Sequence, residues 1–475
     1  MCGIFATTDD KNSAQTILSG LKKLEYRGYD SWGIAVKGRT KLKVSKQLGK
    51  ITVKKTTLPA SKIGIGHTRW ATHGGVTIGN AHPHLDCTGK LALIHNGIVD
   101  NYQDLEKKIK GHKLVGQTDS EIITHLIEKE LKVEKDLFRA VKKVAKTAEG
   151  YNAFVVMHQD YPYLVIAKTG SPLVIGVNPG NNLVSSDVAS LLSITNKVVF
   201  IEDGQIARAS PDILHIENYS SAKEVKPTIQ TITWTAKSAS KTGFPHFMLK
   251  EIYDQPSVLI SIADTKVGEC RTLAKAIEKA KNIFVVGCGT ANYAALAGQY
   301  LFSRIAGREV VPAVGSEFYY HNGSIGTRSL CIALSQSGET IDTLQSVRFA
   351  QDHGAKTVGL INIEGSSLDR LCDQTILLSA GPEKAVASTK AFLAKVALLL
   401  LTAHASNRKT PRGVIEIKQA ARAIRKILDP KFQKYLRKLA TKFKHVHSMF
   451  VLGRGVSYPV ALEAALKIKE LRPQR

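Results

Sequence analysis

The stretch from Asn282 to Gly307, NIFVVGCGTANYAALAGQYLFSRIAG, reads as a short apolar strand, a Gly-x-Gly turn and an Ala-rich helix. The run Ile283–Val286 is too short for a helix and is bounded by glycine, as a strand buried on both faces would be. Downstream the rhythm repeats. EVVPAV (309–314) reads as a strand, and SLCIALSQSGET (329–340) as a strand and turn. IDTLQSVRFAQDHG (341–354) has the period of a helix, and KTVGLIN (356–362) and QTILL (374–378) are again strands. This alternation predicts an α/β unit with a mainly parallel sheet. The turns CGT and SQSGET sit where a strand feeds a helix, so backbone N–H groups and hydroxyls there form a ready anion site. Gly287-Cys288-Gly289 lacks the further glycine and acidic residue of a dinucleotide site, and no Walker loop is found.

The pattern recurs further on. MFVLGRGVSYPVALEAALKIK (449–469) repeats an apolar strand, a Gly-x-Gly turn and an Ala-rich helix. It predicts the start of a second α/β copy, expected to be interrupted because the chain ends in LRPQR at Arg475 soon after Gly453.

Upstream the texture differs. Residues 2–217 hold alternating runs such as KIGIGHTRW (62–70), LALIHNGIV (91–99), AFVVMH (153–158) and YLVIAK (163–168), which predict antiparallel sheets. SAQTILSGLKKLEY (13–26) and SEIITHLIEKELK (120–132) predict helices, the second with Ser120 as its N-cap. A polar stretch from Asn218 to Phe247 reads as a linker. The sequence thus divides into 2–217, a linker and lead-in helix over 218–269, a first α/β domain over 270–412, and the start of a second over 413–475.

Composition excludes some classes. The net charge is +26, from 66 Lys and Arg against 40 Asp and Glu. The basic residues are spread along the chain without a helix-turn-helix, RNP or zinc-finger pattern, so a lysine-rich surface is read rather than nucleic-acid binding. The densest patch, Arg408 to Lys444, has the period of an amphipathic helix pair. The six cysteines form no CxxC, and no Cys/His cluster has zinc-ligand spacing. MCGIFATTDD has no basic region ahead of a long apolar run, so no signal peptide is predicted. FLAKVALLLL is too short to span a bilayer. A reduced, cytoplasmic protein without membrane contact is the expectation.

Six motifs run in order through the first part: MCGIF (1–5), LEYRGYDS (24–31), GIGHTRWATHG (64–74), NAHPH (80–84), HNGI (95–98) and QTDSE (117–121). Together they resemble the class II glutamine amidotransferases with an N-terminal nucleophile. The resemblance implies an α+β domain, a sandwich of antiparallel sheets flanked by helices. Removal of Met1 would give Cys2 both a thiol and a free α-amine, the nucleophile and its own base. The family's pattern makes Cys2 the nucleophile, and Asn96 and Gly97 the oxyanion donors. It makes Arg69 the clamp on the glutamine carboxylate and Asp119 the partner of its ammonium. Thr72 and His73 would line that pocket, and Trp70 would gate the ammonia route.

In the second part HFMLKEIYDQP (246–256), VVGCGT (285–290), SEF (316–318), LSQSGETIDT (334–343), EGSSL (364–368), VASTKAF (386–392) and GRGVSYPVALEAALKIKE (453–470) run in order. They resemble the isomerase half of the glutamine–fructose-6-phosphate aminotransferase family, built from α/β SIS-type domains. The resemblance assigns sugar-phosphate binding to Ser335, Gln336, Ser337 and Thr340, with Thr290, Val386 and Ser388 nearby. It assigns Glu470 the proton transfer between C1 and C2, with Lys467 beside it. Ala291 departs from the serine common after CGT. The family's ring-opening histidine and Schiff-base lysine find no counterpart, so the chain is expected to hydrolyse glutamine and to lack synthesis of glucosamine 6-phosphate. The substrates implied are L-glutamine and fructose 6-phosphate, in the first step of amino-sugar synthesis. A homodimer is implied, and no metal or cofactor is required. The alternative is a sugar-phosphate-binding regulator without synthase activity. A phosphoribosyl-transferring or asparagine-synthetase-like partner domain is excluded, because neither an Asp-rich diphosphate loop nor an SGGxDS-type loop is present.

Overall fold

A computed structural model describes residues 2–232 and 243–471. The chain divides into two compact units, Met1–Ala236 and Lys237–Arg475.

The first unit is two antiparallel sheets face to face, as expected. One sheet has eight strands in the order Gln230–Thr231, Lys197–Phe200, Val174–Gly176, Leu183–Ser185, Gly3–Thr7, Gly64–Arg69, Ser31–Val36 and Lys43–Leu48. The other has seven, running Glu224–Val225, Leu214–Asn218, Gln205–Ala209, Leu164–Lys168, Ala153–His158, Leu91–Asn96 and His84–Leu85. The period of two decides which face each side chain serves. Ile4 and Ala6 pack with Ala92, Ile94 and Val155 between the sheets. Phe5 turns the other way, onto Ile17, Leu18 and Leu21 of the helix Ser13–Leu24. Leu91 and Leu93 face outward onto the helices Asp119–Glu134 and Leu137–Thr147. Four layers result.

Two local readings are corrected. The helix predicted from Ser120 begins at Asp119 and is capped by Thr118, whose hydroxyl accepts from the Glu121 N–H. Ser120 is left free to pair with His95, at 2.8 Å. The polar stretch read as a linker first adds the edge strands Glu224–Val225 and Gln230–Thr231. Its remainder includes residues 233–242, which lie outside the described residues.

The second unit carries a five-stranded parallel sheet in the order Val311–Val314, Asn282–Gly287, Ser329–Ser335, Lys356–Ile361 and Gln374–Leu377. Every strand predicted there from Asn282 to Leu378 is found. Helices Phe247–Thr265, Val267–Lys279, Thr290–Leu301 and Lys390–Ser406 cover one face through Ile262, Leu273, Ala294 and Leu398. Lys395 is fully buried there, and burial lowers its pKa to about 8. Of the basic helix pair, Thr410–Ile427 buries Ile417 and Ala421, whereas Pro430–Phe443 buries nothing. The strand predicted at Met449–Leu452 does not form, although the helix after it does, at Ser457–Leu471. Phe450 and Leu452 are each 89% exposed: a strand needs a neighbouring edge to bond, and none lies alongside among the described residues.

Candidate active sites

Cys2 immediately precedes the strand Gly3–Thr7, and the antiparallel register sets Gly3 opposite Thr68. Arg69 and Trp70 are thereby brought beside Cys2. The Trp70 N–H donates to Cys2 Sγ at 3.2 Å. Arg27 Nε and Asn96 Nδ2 both donate to the Cys2 carbonyl, each at 3.2 Å. Burial raises the pKa of the thiol, while the Trp70 N–H and the charges of Arg69 and Arg27 oppose that rise. The thiol therefore needs a base to become a thiolate.

Asn96 ends the strand Leu91–Asn96. Its Oδ1 faces His67 Nε2 at 3.0 Å, and the His95 carbonyl faces the same nitrogen at 3.0 Å. Two oxygens on one ring nitrogen assign the proton to Nε2, which turns the Asn96 amide N–H group toward Cys2. Gly97 follows at φ +134°, where a Cβ would lie 2.1 Å from the Tyr151 carbonyl. Only glycine fits there.

Arg69 is 4% exposed and spends its guanidinium on the loop beyond it, donating to the carbonyls of Gly75 at 2.9 Å, Gly74 at 3.2 Å and His73. Thr72 lies exposed on that loop, and the His73 ring meets Tyr102 edge-on at 4.8 Å. Trp70 is 39% exposed and packs against Tyr29. Asp119 opens its helix with Oδ2 accepting the Val99 N–H at 2.8 Å and Oδ1 the Ser120 N–H at 2.9 Å. Burial lowers the pKa of Arg69, and Cys2, Asp30 and Asp119 raise it, so all three act on one guanidinium.

Residues from three of the motifs have a role that sequence reading did not assign. His67, His82 and His84 stack edge-on with ring centroids 4.1 and 4.7 Å apart. His84 Nε2 meets the Thr118 hydroxyl at 2.9 Å, and His95 joins Ser120 Oγ to Asn152 Oδ1. Burial pushes His67 down to about 3, and lowers His82, His84 and His95 as well. These are neutral rings, a buried polar scaffold running from Asn96 to the cap of the Asp119 helix. Arg27, held by Asp187 at 3.6 Å, braces Cys2 from the other side.

In the second unit, adjacent parallel strands end at Gly287 and Ser335, so both Gly/Ser turns open on the carboxyl edge of the sheet, where the strand order reverses. Ser335 Oγ accepts the Gly338 N–H at 2.9 Å and lies 3.5 Å from Thr340 Oγ1. Gln336 and Ser337 are half-buried between them, Ser337 accepting the Glu339 N–H. Thr290 begins the helix Thr290–Leu301, donates to Glu463 Oε1 at 3.1 Å and accepts from Lys467 Nζ at 3.0 Å. Lys467 also pairs with Glu470, which is exposed. Glu463 was not singled out from sequence. It is 7% exposed, and burial raises its pKa against the pull of Lys467. Ser388 donates to Glu383 at 2.7 Å, and Val386 is 65% exposed on the same loop. That loop is tied to the helix Phe247–Thr265 by Glu251, which accepts the Lys384 and Ala385 N–H groups.

The chain matches a glutamine amidotransferase domain over residues 67–193 and a SIS domain over residues 276–405. The glutamine–fructose-6-phosphate aminotransferase (isomerizing) of Thermus thermophilus is 40% identical over 99% of this chain and 80% of its own length. That of Pyrococcus horikoshii is 39% identical over the same shares. Among solved structures, the C-terminal domain of glucosamine-fructose-6-phosphate aminotransferase from Francisella tularensis is 30% identical, with TM-score 0.44, covering 49% of this chain and 69% of its own. With an antiparallel sandwich that holds a half-buried Cys2 at a strand start, a parallel sheet edged by Ser/Thr turns, and this identity along nearly its whole length, the chain belongs to the glutamine–fructose-6-phosphate aminotransferase family.

Proposed function

We propose that this enzyme hydrolyses glutamine at Cys2 and passes the ammonia to fructose 6-phosphate, forming glucosamine 6-phosphate and glutamate. The observation that carries the reading is the convergence of Trp70 N–H, Asn96 and Arg27 on a half-buried Cys2, inside a chain 40% identical to a named aminotransferase. Cys2 attacks the carboxamide carbon, and its thiol proton leaves to the α-amine. The developing oxyanion falls to Asn96 Nδ2 and the Gly97 N–H. Loss of ammonia leaves a γ-glutamyl thioester, which water cleaves. Arg69, Asp119, Thr72 and His73 hold the amino-acid end, and Trp70 gates the ammonia. Ser335, Gln336, Ser337 and Thr340 hold the sugar phosphate, with Thr290, Val386 and Ser388 around it. Glu470 moves the proton between C1 and C2, and Lys467 sets its charge.

The same reading divides the chain at 217, 269 and 412, and the two matched domains lie within the first and third of the four segments so defined. It takes the protein as cytoplasmic and homodimeric. Exposed apolar Phe432, Tyr435, Phe450 and Leu452 support a partner surface, and among the described residues no helix is long and apolar enough to cross a membrane.

The test follows glutamate and glucosamine 6-phosphate separately, with and without fructose 6-phosphate. Glutamate that vanishes in Cys2→Ala supports the first step, and amino sugar in the same tube supports the second. Glutamate alone assigns only hydrolysis to the 475-residue polypeptide. Binding of fructose 6-phosphate with neither product would favour the regulator instead.

A further inference from the structure

Away from Cys2, four side chains from three separate segments turn their donor atoms on one point. Cys87 Sγ lies 3.6 Å from His112 Nδ1 and 3.6 Å from His125 Nδ1. The two imidazole nitrogens are 3.3 Å apart, and Glu128 Oε2 is 3.0 Å from the first and 3.2 Å from the second. All four atoms lie within 4.8 Å of one another, the one such group of three or more His, Cys, Asp or Glu among the described residues. A tetrahedral zinc ion with bonds of ~2.0–2.1 Å to nitrogen and oxygen and ~2.3 Å to sulfur has N···N edges of ~3.3 Å and N···S edges of ~3.6 Å. The cluster has these edges.

The surroundings are those of a ligand set. The hairpin turn holding Cys87 is fixed by Asp86, whose carboxylate accepts the Lys90 and Leu91 N–H groups at 2.9 and 3.0 Å. His125 and Glu128 stand one turn apart on the helix Asp119–Glu134, 1% and 5% exposed in their side chains. The remaining oxygen of Glu128 takes Lys132 at 3.1 Å, and Oε2, which faces the cluster, also accepts the Cys87 N–H at 3.1 Å. His125 Nε2 is buried without a hydrogen bond, and Glu121 Oε1 stands 3.9 Å behind it. Glu121 is itself anchored by the N–H groups of Val115 and Gly116, both at 2.7 Å. A carboxylate behind a ligating imidazole fixes its tautomer.

We propose that Cys87, His112, His125 and Glu128 form a closed structural zinc site. Coordination releases the Cys87 thiol proton, leaves both Nδ1 lone pairs on the metal, and puts the His125 proton on Nε2 toward Glu121. With all four positions filled by protein, the ion holds rather than reacts. It ties the turn at Cys87 and the loop at His112 to the helix that begins with Asp119. Cys87 is exposed, which gives the ion a way in.

The experiment titrates Co²⁺ into the full chain after chelator treatment, reading the tetrahedral d–d bands and the thiolate-to-cobalt charge-transfer band, and then displaces it with Zn²⁺. One equivalent per chain is expected, with the charge-transfer band lost in Cys87→Ser and retained in Cys2→Ala. Glu121→Gln, which leaves all four ligands in place, is expected to weaken zinc by roughly 10–100-fold. Failure of the unmodified chain to bind, or a charge-transfer band that survives Cys87→Ser and disappears in Cys2→Ala, overturns the site and leaves a proton-sharing hydrogen-bond cluster in its place.

Discussion

The two candidate sites are held in different ways. Around Cys2, strand ends from both sheets and the start of a helix meet over buried histidines, linked by hydrogen bonds through His67 Nε2 and both ring nitrogens of His95. At Ser335 the site is a pair of turns on a sheet edge, closed on one side by a helix whose Lys467–Glu470 pair is partly exposed. The first arrangement fixes its donors in a buried network; the second ties its turn hydroxyls to one another and to N–H groups of the same loop. A carbonyl becoming an oxyanion needs donors that do not reorganise, whereas a phosphate brings enough charge to order its own loop.

The sharpest break between them is Cys2→Ala. Removing a nucleophile costs about as much as removing the whole catalytic group, so glutamine hydrolysis should fall by roughly 10⁴-fold or more. Equilibrium binding of fructose 6-phosphate should not change. A loss of sugar binding in this variant would show that the two sites are not separable.

Asn96→Ala tests the prebuilt donor. Loss of one oxyanion contact costs ~10²–10³ in kcat with little change in KM. If KM for glutamine rises instead while kcat holds, Asn96 binds the ground state, and the two sites are less different than their geometry suggests.

Acid should attack the first site's scaffold. His67, at about 3 in the folded protein, takes a proton far more readily once unfolded, where its pKa returns to ~6.5. The stability it contributes is whole above about 6.5 and falls as pH drops toward 3, at ~1.4 kcal/mol per pH unit for each such ring. Protection factors for amide exchange in the strands Gly64–Arg69 and Leu91–Asn96, corrected for the intrinsic rate at each pH, should fall across that window. His67→Gln should flatten the slope by one proton, and an unchanged slope would mean that His67 is charged in the folded state.

How much of this could be read beforehand depends on how far apart the partners lie in the chain. Cys2, Arg69, Asn96 and Asp119 each sit in a contiguous motif, so they could be named as candidates in advance, and the strands from Asn282 to Leu378 follow from local runs and are found. The histidine stack was not. His67, His82 and His95 come from three motifs, and only strand register puts them together. Cys87, His112 and His125 have no local spacing at all, because two loops and a helix must fold before they meet. At Met449–Leu452 the apolar run predicted a strand that does not form, because no neighbouring strand bonds to it among the described residues.

Gly338→Ala probes the looser site. Gly338 has φ +69°, and a Cβ there would sit 1.9 Å from Ser366 Oγ, so alanine must push the 335–340 turn off Ser366. About a tenfold rise in KM for fructose 6-phosphate is expected, with glutamine hydrolysis in its absence unchanged. An unaltered KM would mean that the turn adapts and that its resting shape does not set affinity.

The smallest effect is expected from Ala291→Ser, which restores the hydroxyl common in the family. Ala291 is 8% exposed and belongs to the apolar core, in van der Waals reach of Gly287 at the end of the strand. A hydroxyl there has the Cys288 carbonyl nearby, to which the Ala291 N–H already donates at 3.0 Å. It would satisfy itself on the backbone of the turn rather than reach an anion above it. Affinity for fructose 6-phosphate, measured by calorimetry, should change by no more than about threefold, within the ~0.5–1.5 kcal/mol of a single neutral hydrogen bond. A gain of tenfold would place position 291 in the phosphate shell and show that the open site, too, depends on donors fixed in advance.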